Sequence, residues 1–238
     1  MLTPKEMKHI KDALIVLCQD SCCLQSLGTT VPEPYIPYVP EGWNRTLVLA
    51  EAQNHAAGTY LSRLLALSKH NRVIRLSLDE KLGIQPWDDG CLKIAVRATL
   101  GLMPETTAVS NAVLWSLVNA KGTNANPSKE LINQSTLLWS KMLDILKPER
   151  VVTAGRVAEK IVKCAAKKCK VQFKHEVWPL PSPRVLRPLL GYMNEKILLR
   201  HYPEISRIKN DVSRWVTEPK REKAIFYATL AINATNSV

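Results

Sequence analysis

The chain has 238 residues, 46% of them apolar, with 33 Lys and Arg against 21 Asp and Glu for a net charge of +12. That balance excludes a disordered tail and suits one globular α/β or β domain with a sizeable core. The charge is unevenly placed: 17 basic and 7 acidic side chains fall in residues 151–238, so the last third points to a polyanionic partner or to a solvated basic surface.

No run reaches the roughly eighteen uninterrupted apolar residues of a membrane helix. Met1-Leu2-Thr3-Pro4-Lys5-Glu6 shows no signal-peptide pattern. The expectation is a protein that is not secreted, cytoplasmic and nucleoid-associated or nuclear, without a membrane partner. Cys18, Cys22, Cys23, Cys91, Cys164 and Cys169 are then reduced thiols rather than a disulfide framework. No second close pair follows the first three at zinc-finger spacing.

Met7, Ile10, Ala13, Leu14 and Leu17 form a helical stripe over residues 4–18. The Pro-rich stretch from Val31 to Pro40 predicts a connector that is neither helix nor central strand. Thr46-Leu47-Val48-Leu49-Ala50 is a short continuous apolar run, as expected of a strand buried on both faces. Further strands are predicted at 73–76, 107–111, 151–154 and 171–177. Helical patterns run through Leu92 to Thr99, Leu131 to Leu146 and Val157 to Ala165. Residues 188–202 and 206–216 also suit helices, and the tail from 218 a basic turn and a last helix. Alternating strands and helices predict a mostly parallel sheet covered on both faces. Ligands of such sheets bind beyond the carboxyl ends of the strands, which gathers the loops after Ala50, Val109 and Ala154 at one rim.

Four separated segments carry a more specific signal. They are Leu47-Val48-Leu49-Ala50-Glu51-Ala52-Gln53-Asn54; Gly83-Ile84-Gln85-Pro86-Trp87-Asp88-Asp89-Gly90; Val109-Ser110-Asn111-Ala112-Val113 with Asn126-Pro127 beyond; and Leu180-Pro181-Ser182-Pro183-Arg184. Between the last two, Pro148-Glu149-Arg150-Val151-Val152-Thr153-Ala154-Gly155-Arg156-Val157-Ala158 is a structural rather than a catalytic motif. In order and spacing this set resembles the uracil-DNA glycosylase superfamily, nearest to its iron-sulfur-containing branch, over roughly residues 46–200.

The resemblance implies a three-layer α/β/α fold with a central, mostly parallel four-stranded sheet. Residues 1–45 then form an N-terminal helix and connector, 46–204 the glycosylase-like domain and 205–238 a basic helical extension. It implies excision of a deaminated base such as uracil from DNA, single-stranded or damaged duplex, by a monomer that needs no cofactor. Trp87 would stack on the flipped base, with Ala52, Gln53 and Asn54 beside it. Asn111 would bind the polar edge of the base. Ser182, Pro183, Arg184 and Arg187 would meet the DNA, with Lys196 and Arg200 nearby. The chemistry is consistent: a flipped base needs a stacking ring and an amide that donates and accepts, and cleavage needs a placed water and a stabilised leaving anion.

The departures fall on the chemistry. Leu180 stands where the family's last motif has His, so it carries neither donor nor charge; His55 or His175 could substitute. Water could be held by Glu51, Asp88, Asn54 or Asp89, in which Glu51 ranks first and Asp88 second. Each residue has a plainer alternative: Glu51 as acidic cap of a neighbouring helix, the two aspartates as caps of the helix near Gly90, Asn111 as a strand-end group, Trp87 as core, the basic residues as a charged helix face. The branch's cluster ligands are incomplete, since two of their positions fall at Trp115 and near Gln134, so no cluster is expected. Two competing functions follow: a catalytically weak or inactive nucleic-acid-binding member, and an unrelated α/β enzyme on an anionic small molecule. The second is disfavoured by the lack of a Gly-rich phosphate loop.

Overall fold

A computed structural model describes residues 2–21, 34, 36–51, 90–115, 126–181, 186 and 194–237. The sequence begins with helix α1 (Pro4–Asp20), whose start is set by a reciprocal cap: Glu6 N donates to Thr3 Oγ1 at 3.3 Å and Thr3 N to Glu6 Oε2 at 2.7 Å. Its buried stripe is Met7, Ile10, Leu14 and Cys18. Strand β1 (Thr46–Ala50) is buried at every position, as its continuous apolar run requires. Helix α2 (Cys91–Leu100), a 3-10 turn (Pro104–Thr106) and β2 (Ala108–Asn111) follow.

Helix α3 (Lys129–Leu146) opens on Ser128, whose hydroxyl accepts from Leu131 N at 3.1 Å. Next come β3 (Arg150–Ala154), α4 (Arg156–Ala166) and β4 (Lys174–Trp178). The chain closes with α5 (Glu195–His201), α6 (Pro203–Arg207), α7 (Lys209–Trp215) and α8 (Glu218–Asn236).

The protein is thus an α/β protein with a four-stranded, all-parallel sheet in the order β2-β1-β3-β4, flanked by helices. Side chains of β1 alternate between two cores. Leu47 and Leu49 pack with α1, α3 and α4, whereas Val48 and Ala50 pack with α2 and α8. Each fully buried Leu or Val here contributes roughly 1.5–3 kcal/mol. The outer edge of β2 is covered by the Pro-rich connector, which forms one antiparallel bridge between Tyr38 and Val109 through bonds of 2.9 and 3.0 Å.

Three details differ from the sequence pattern. The last strand is shifted to 174–178, and the expected helix over 206–216 is two short ones. The break between them falls at Ile208, with φ −102° and ψ 12°; the break before α6 falls at Tyr202, with φ −123° and ψ 85°, since a residue before proline is kept out of the helical region. From Glu218 there is no turn: Pro219 stands in the first helical turn and Lys220, Arg221 and Lys223 belong to α8. The expected strand at 73–76 lies outside the described residues.

Candidate functional site

All four strands end on one row, in which Asn111 pairs with Ala50, Ala50 with Ala154, and Ala154 with Trp178. The pairing continues past the strands. Ala112 N donates to Ala50 O at 2.7 Å and Val113 N to Glu51 O at 3.2 Å. The backbones that carry Glu51 and Asn111, sixty residues apart in sequence, are therefore held side by side at the carboxyl edge of the sheet.

Asn111 is 3% exposed. It lies two residues beyond Val109, so it shares that residue's face, the one covered by α2 and α8. The segment after it is fixed by α3: the Trp139 indole N–H donates to Ala112 O at 2.8 Å, and Leu114 N donates to Ser135 Oγ at 3.4 Å. A buried Trp requires such an acceptor. Neither Trp139 nor Ser135 stands out in the sequence, where they merge with the apolar stripe of their helix.

Glu51 is half-buried and packs against Gly155, the residue before α4. A Cβ at position 155 would lie 3.0 Å from Glu51 Cβ and 3.1 Å from Cδ, and would overlap Oε2. Gly155 also has φ +102°, a conformation that L side chains rarely adopt. Its N–H donates to Trp178 O at 3.0 Å and its carbonyl accepts the first helical bond, from Glu159 N at 3.0 Å. The carboxylate thus stands at the amino end of α4, where the first-turn N–H groups and the helix dipole favour an anion. This placement suits an acidic side chain at the start of a helix.

Leu180 follows β4 by two residues and is half-buried. Its neighbour Pro179 is anchored by α8, through a 2.8 Å bond from the Tyr227 hydroxyl to the Pro179 carbonyl. No donor or cation is offered by the Leu180 side chain. His175 lies away from the rim. It pairs with Val151, three residues before Trp178 and so about 10 Å from the rim along the strand. Its Nε2 is 2.9 Å from Thr153 Oγ1, and its ring meets Phe173 edge-on at 6.5 Å. Burial pushes its pKa below the usual value and Lys163 adds to this, opposed by Glu159.

His55, Ala52, Gln53, Asn54, Trp87, Asp88, Asp89, Ser182, Pro183, Arg184 and Arg187 lie outside the described residues. The N-cap of α2 is Gly90, with φ +74° and no side-chain cap bond. Lys196 and Arg200 are exposed on α5. Seven exposed basic side chains stand between residues 156 and 174 against one carboxylate, Glu159.

The two positions at which the resemblance would place further cluster ligands carry no cysteine. Trp115 is buried core, and Gln134 donates from its amide to Glu130 Oε1 at 3.0 Å. Cys22 and Cys23 lie outside the described residues. Among the described residues no group of three or more His, Cys, Asp or Glu side chains could hold a metal ion, and no helix is long and apolar enough to cross a membrane. No protein-family model matches the chain, and no curated protein matches it.

Proposed function

We propose that this protein has the three-layer fold of the uracil-DNA glycosylase type and hydrolyses the N-glycosidic bond of a deaminated base in DNA. The observation that carries this reading is the pairing of Ala50 with Asn111. It gathers two residues of separate motifs, Glu51 and Asn111, at the carboxyl edge of a parallel sheet, where ligands of such sheets bind. The excess of 17 basic over 7 acidic residues in 151–238 supports a polyanionic partner.

In this reading the nucleotide leaves the stack at a cost of a few kcal/mol. The Asn111 amide donates and accepts along the base edge, with Trp87 stacked on the ring. Glu51 orients the attacking water and favours the developing sugar cation, with Asp88 and His55 as further candidate groups. Ser182, Pro183, Arg184 and Arg187 grip the phosphates.

Leu180 favours a second reading, a member that binds nucleic acid and cleaves slowly or not at all. Loss of one donor to a developing anion costs roughly 10²–10³ in rate in other enzymes. Single-turnover assays on labelled oligonucleotides carrying uracil, hypoxanthine or xanthine, with protein in excess, separate the two. An abasic product supports the glycosylase; salt-sensitive binding without product on any substrate supports the binding module. Binding unaffected between about 50 and 200 mM salt would contradict both.

A further inference from the structure

We propose that the groove between α3 and α4 is a docking site for an acidic amphipathic helix of a partner protein. The groove has a volume of about 490 Å³ and is lined by residues of α3, of α4 and of the two positions after α4. Its apolar part is Ile132, Leu137 and Cys164, and its basic part Lys160, Lys167 and Lys168. Leu137 is 44% exposed, one of three large apolar side chains so exposed among the described residues. On the same helix Leu131, Leu138, Trp139, Leu143 and Leu146 are buried.

The charge of the groove is unbalanced. Lys163 is neutralised on its own helix by Glu159 at 2.6 Å. Lys160, Lys167 and Lys168 have no carboxylate within ion-pair distance among the described residues, and no acidic side chain lines the groove. An apolar floor between unbalanced cations is complementary to a ligand with an apolar stripe flanked by carboxylates.

Two helices packed side by side offer a trough for a third helix, which is a recurrent mode of peptide recognition. Lys160 and Lys167 are seven residues apart, so the basic edge extends for about two turns, or ~10 Å. A fitting helix therefore carries Leu-type anchors at i, i+3, i+4 and i+7 and Glu or Asp two turns apart on its flank. Single-stranded nucleic acid suits the groove less well, because no aromatic ring lines it for base stacking. This inference does not depend on the glycosylase reading.

The test uses the full-length protein and a fluorescein-labelled synthetic helix with Leu at i, i+3, i+4 and i+7 and Glu along both flanks. A control helix has Lys in place of Glu, and a second control probe is a labelled oligothymidine. Fluorescence anisotropy is read for the unmodified chain, for Leu137→Ser, for the pair Lys160→Glu and Lys167→Glu, and for Lys196→Glu on α5. All four sites are exposed, and circular dichroism checks the fold. Binding of the acidic helix that falls about tenfold or more with Leu137→Ser and with the Lys160/Lys167 pair, but holds with Lys196→Glu, supports the proposal. Absence of binding, or binding lost with the lysines but insensitive to Leu137→Ser, overturns it. Oligothymidine competing at the same lysines overturns it in favour of a nucleic-acid surface. A concentration-dependent dimer abolished by Leu137→Ser overturns it in favour of a second copy of this chain.

Discussion

The carboxylate of Glu51 occupies the space that a side chain at Gly155 would need. The first residue after β1 and the first residue after β3 are thereby interlocked, each explaining the other's identity. Glycine at 155 meets two demands at once, the φ of +102° and the approach of Glu51.

Gly155→Ala is accordingly expected to destabilise the fold by about 1–3 kcal/mol from backbone strain alone, with further loss from displacement of Glu51. Denaturant midpoints of Gly155→Ala, Glu51→Ala and the double variant form a cycle. The double variant is expected to be less damaged than the sum of the single ones, by about 0.5–3 kcal/mol of coupling. Strict additivity would show that the two residues do not touch.

Trp139 is expected to matter through its N–H as well as its bulk, because it holds the Ala112 carbonyl beside Asn111. Trp139→Phe leaves that buried acceptor unpaired and removes ring volume, for a loss of at least about 1–3 kcal/mol. Equilibrium unfolding measures it, and an unchanged midpoint would discount the bond.

Glu176 ties α8 to the sheet. It is 5% exposed, its Oε1 lies 2.9 Å from Lys174 Nζ and 3.4 Å from Arg150 Nε, and its Oε2 accepts from Thr235 Oγ1 at 3.4 Å. Thr235 in turn accepts from the Trp178 indole at 3.0 Å. Glu176→Ala is expected to cost about 2–3 kcal/mol, less than the ~3–5 of a fully enclosed pair, because Lys174 and Arg150 keep contact with water. Glu176→Gln keeps an acceptor for Thr235 and is expected to cost less than Glu176→Ala in thermal or denaturant unfolding.

His175 gives the stability a pH dependence. Burial lowers its folded pKa below the ordinary 6.5, so the unfolded chain takes up the proton first. Its contribution is complete above that value and is lost as pH falls from 6.5 toward the lowered folded value. Unfolding midpoints measured between pH 7.5 and about 5 are expected to drop more for the natural chain than for His175→Gln. Equal slopes would show that His175 is not the group responsible.

Much of the frame was legible in the sequence, and the physical reason differs by element. Leu47 to Ala50 and Val151 to Ala154 stood out because strands buried on both faces are continuously apolar. Helix α3 stood out because only one of its faces is buried. Helix α8 was legible except at its start: the basic cluster after Thr217 suggests a turn, whereas Pro219 stands in a first helical turn. Of the site, Glu51 and Asn111 could be singled out, since each is a polar residue at the end of an apolar strand. That they share one rim follows from a parallel sheet, but their side-by-side pairing does not, because it depends on which strands become neighbours. The role of Gly155 was hidden for the same reason: its partner is 104 residues away in the chain.

The most direct measurement is single-turnover cleavage of a uracil-containing oligonucleotide by the natural chain, Asn111→Ala and Glu51→Gln, with binding followed in parallel. Abasic product is expected with the natural chain. Asn111→Ala is expected to lower the rate by roughly 10²-fold through loss of contacts worth about 1–3 kcal/mol each. Glu51→Gln is expected to slow cleavage while leaving oligonucleotide binding nearly unchanged. Cleavage that survives both substitutions undiminished would contradict a site at the carboxyl ends of β1 and β2, and no product from any of the three proteins would contradict a glycosylase.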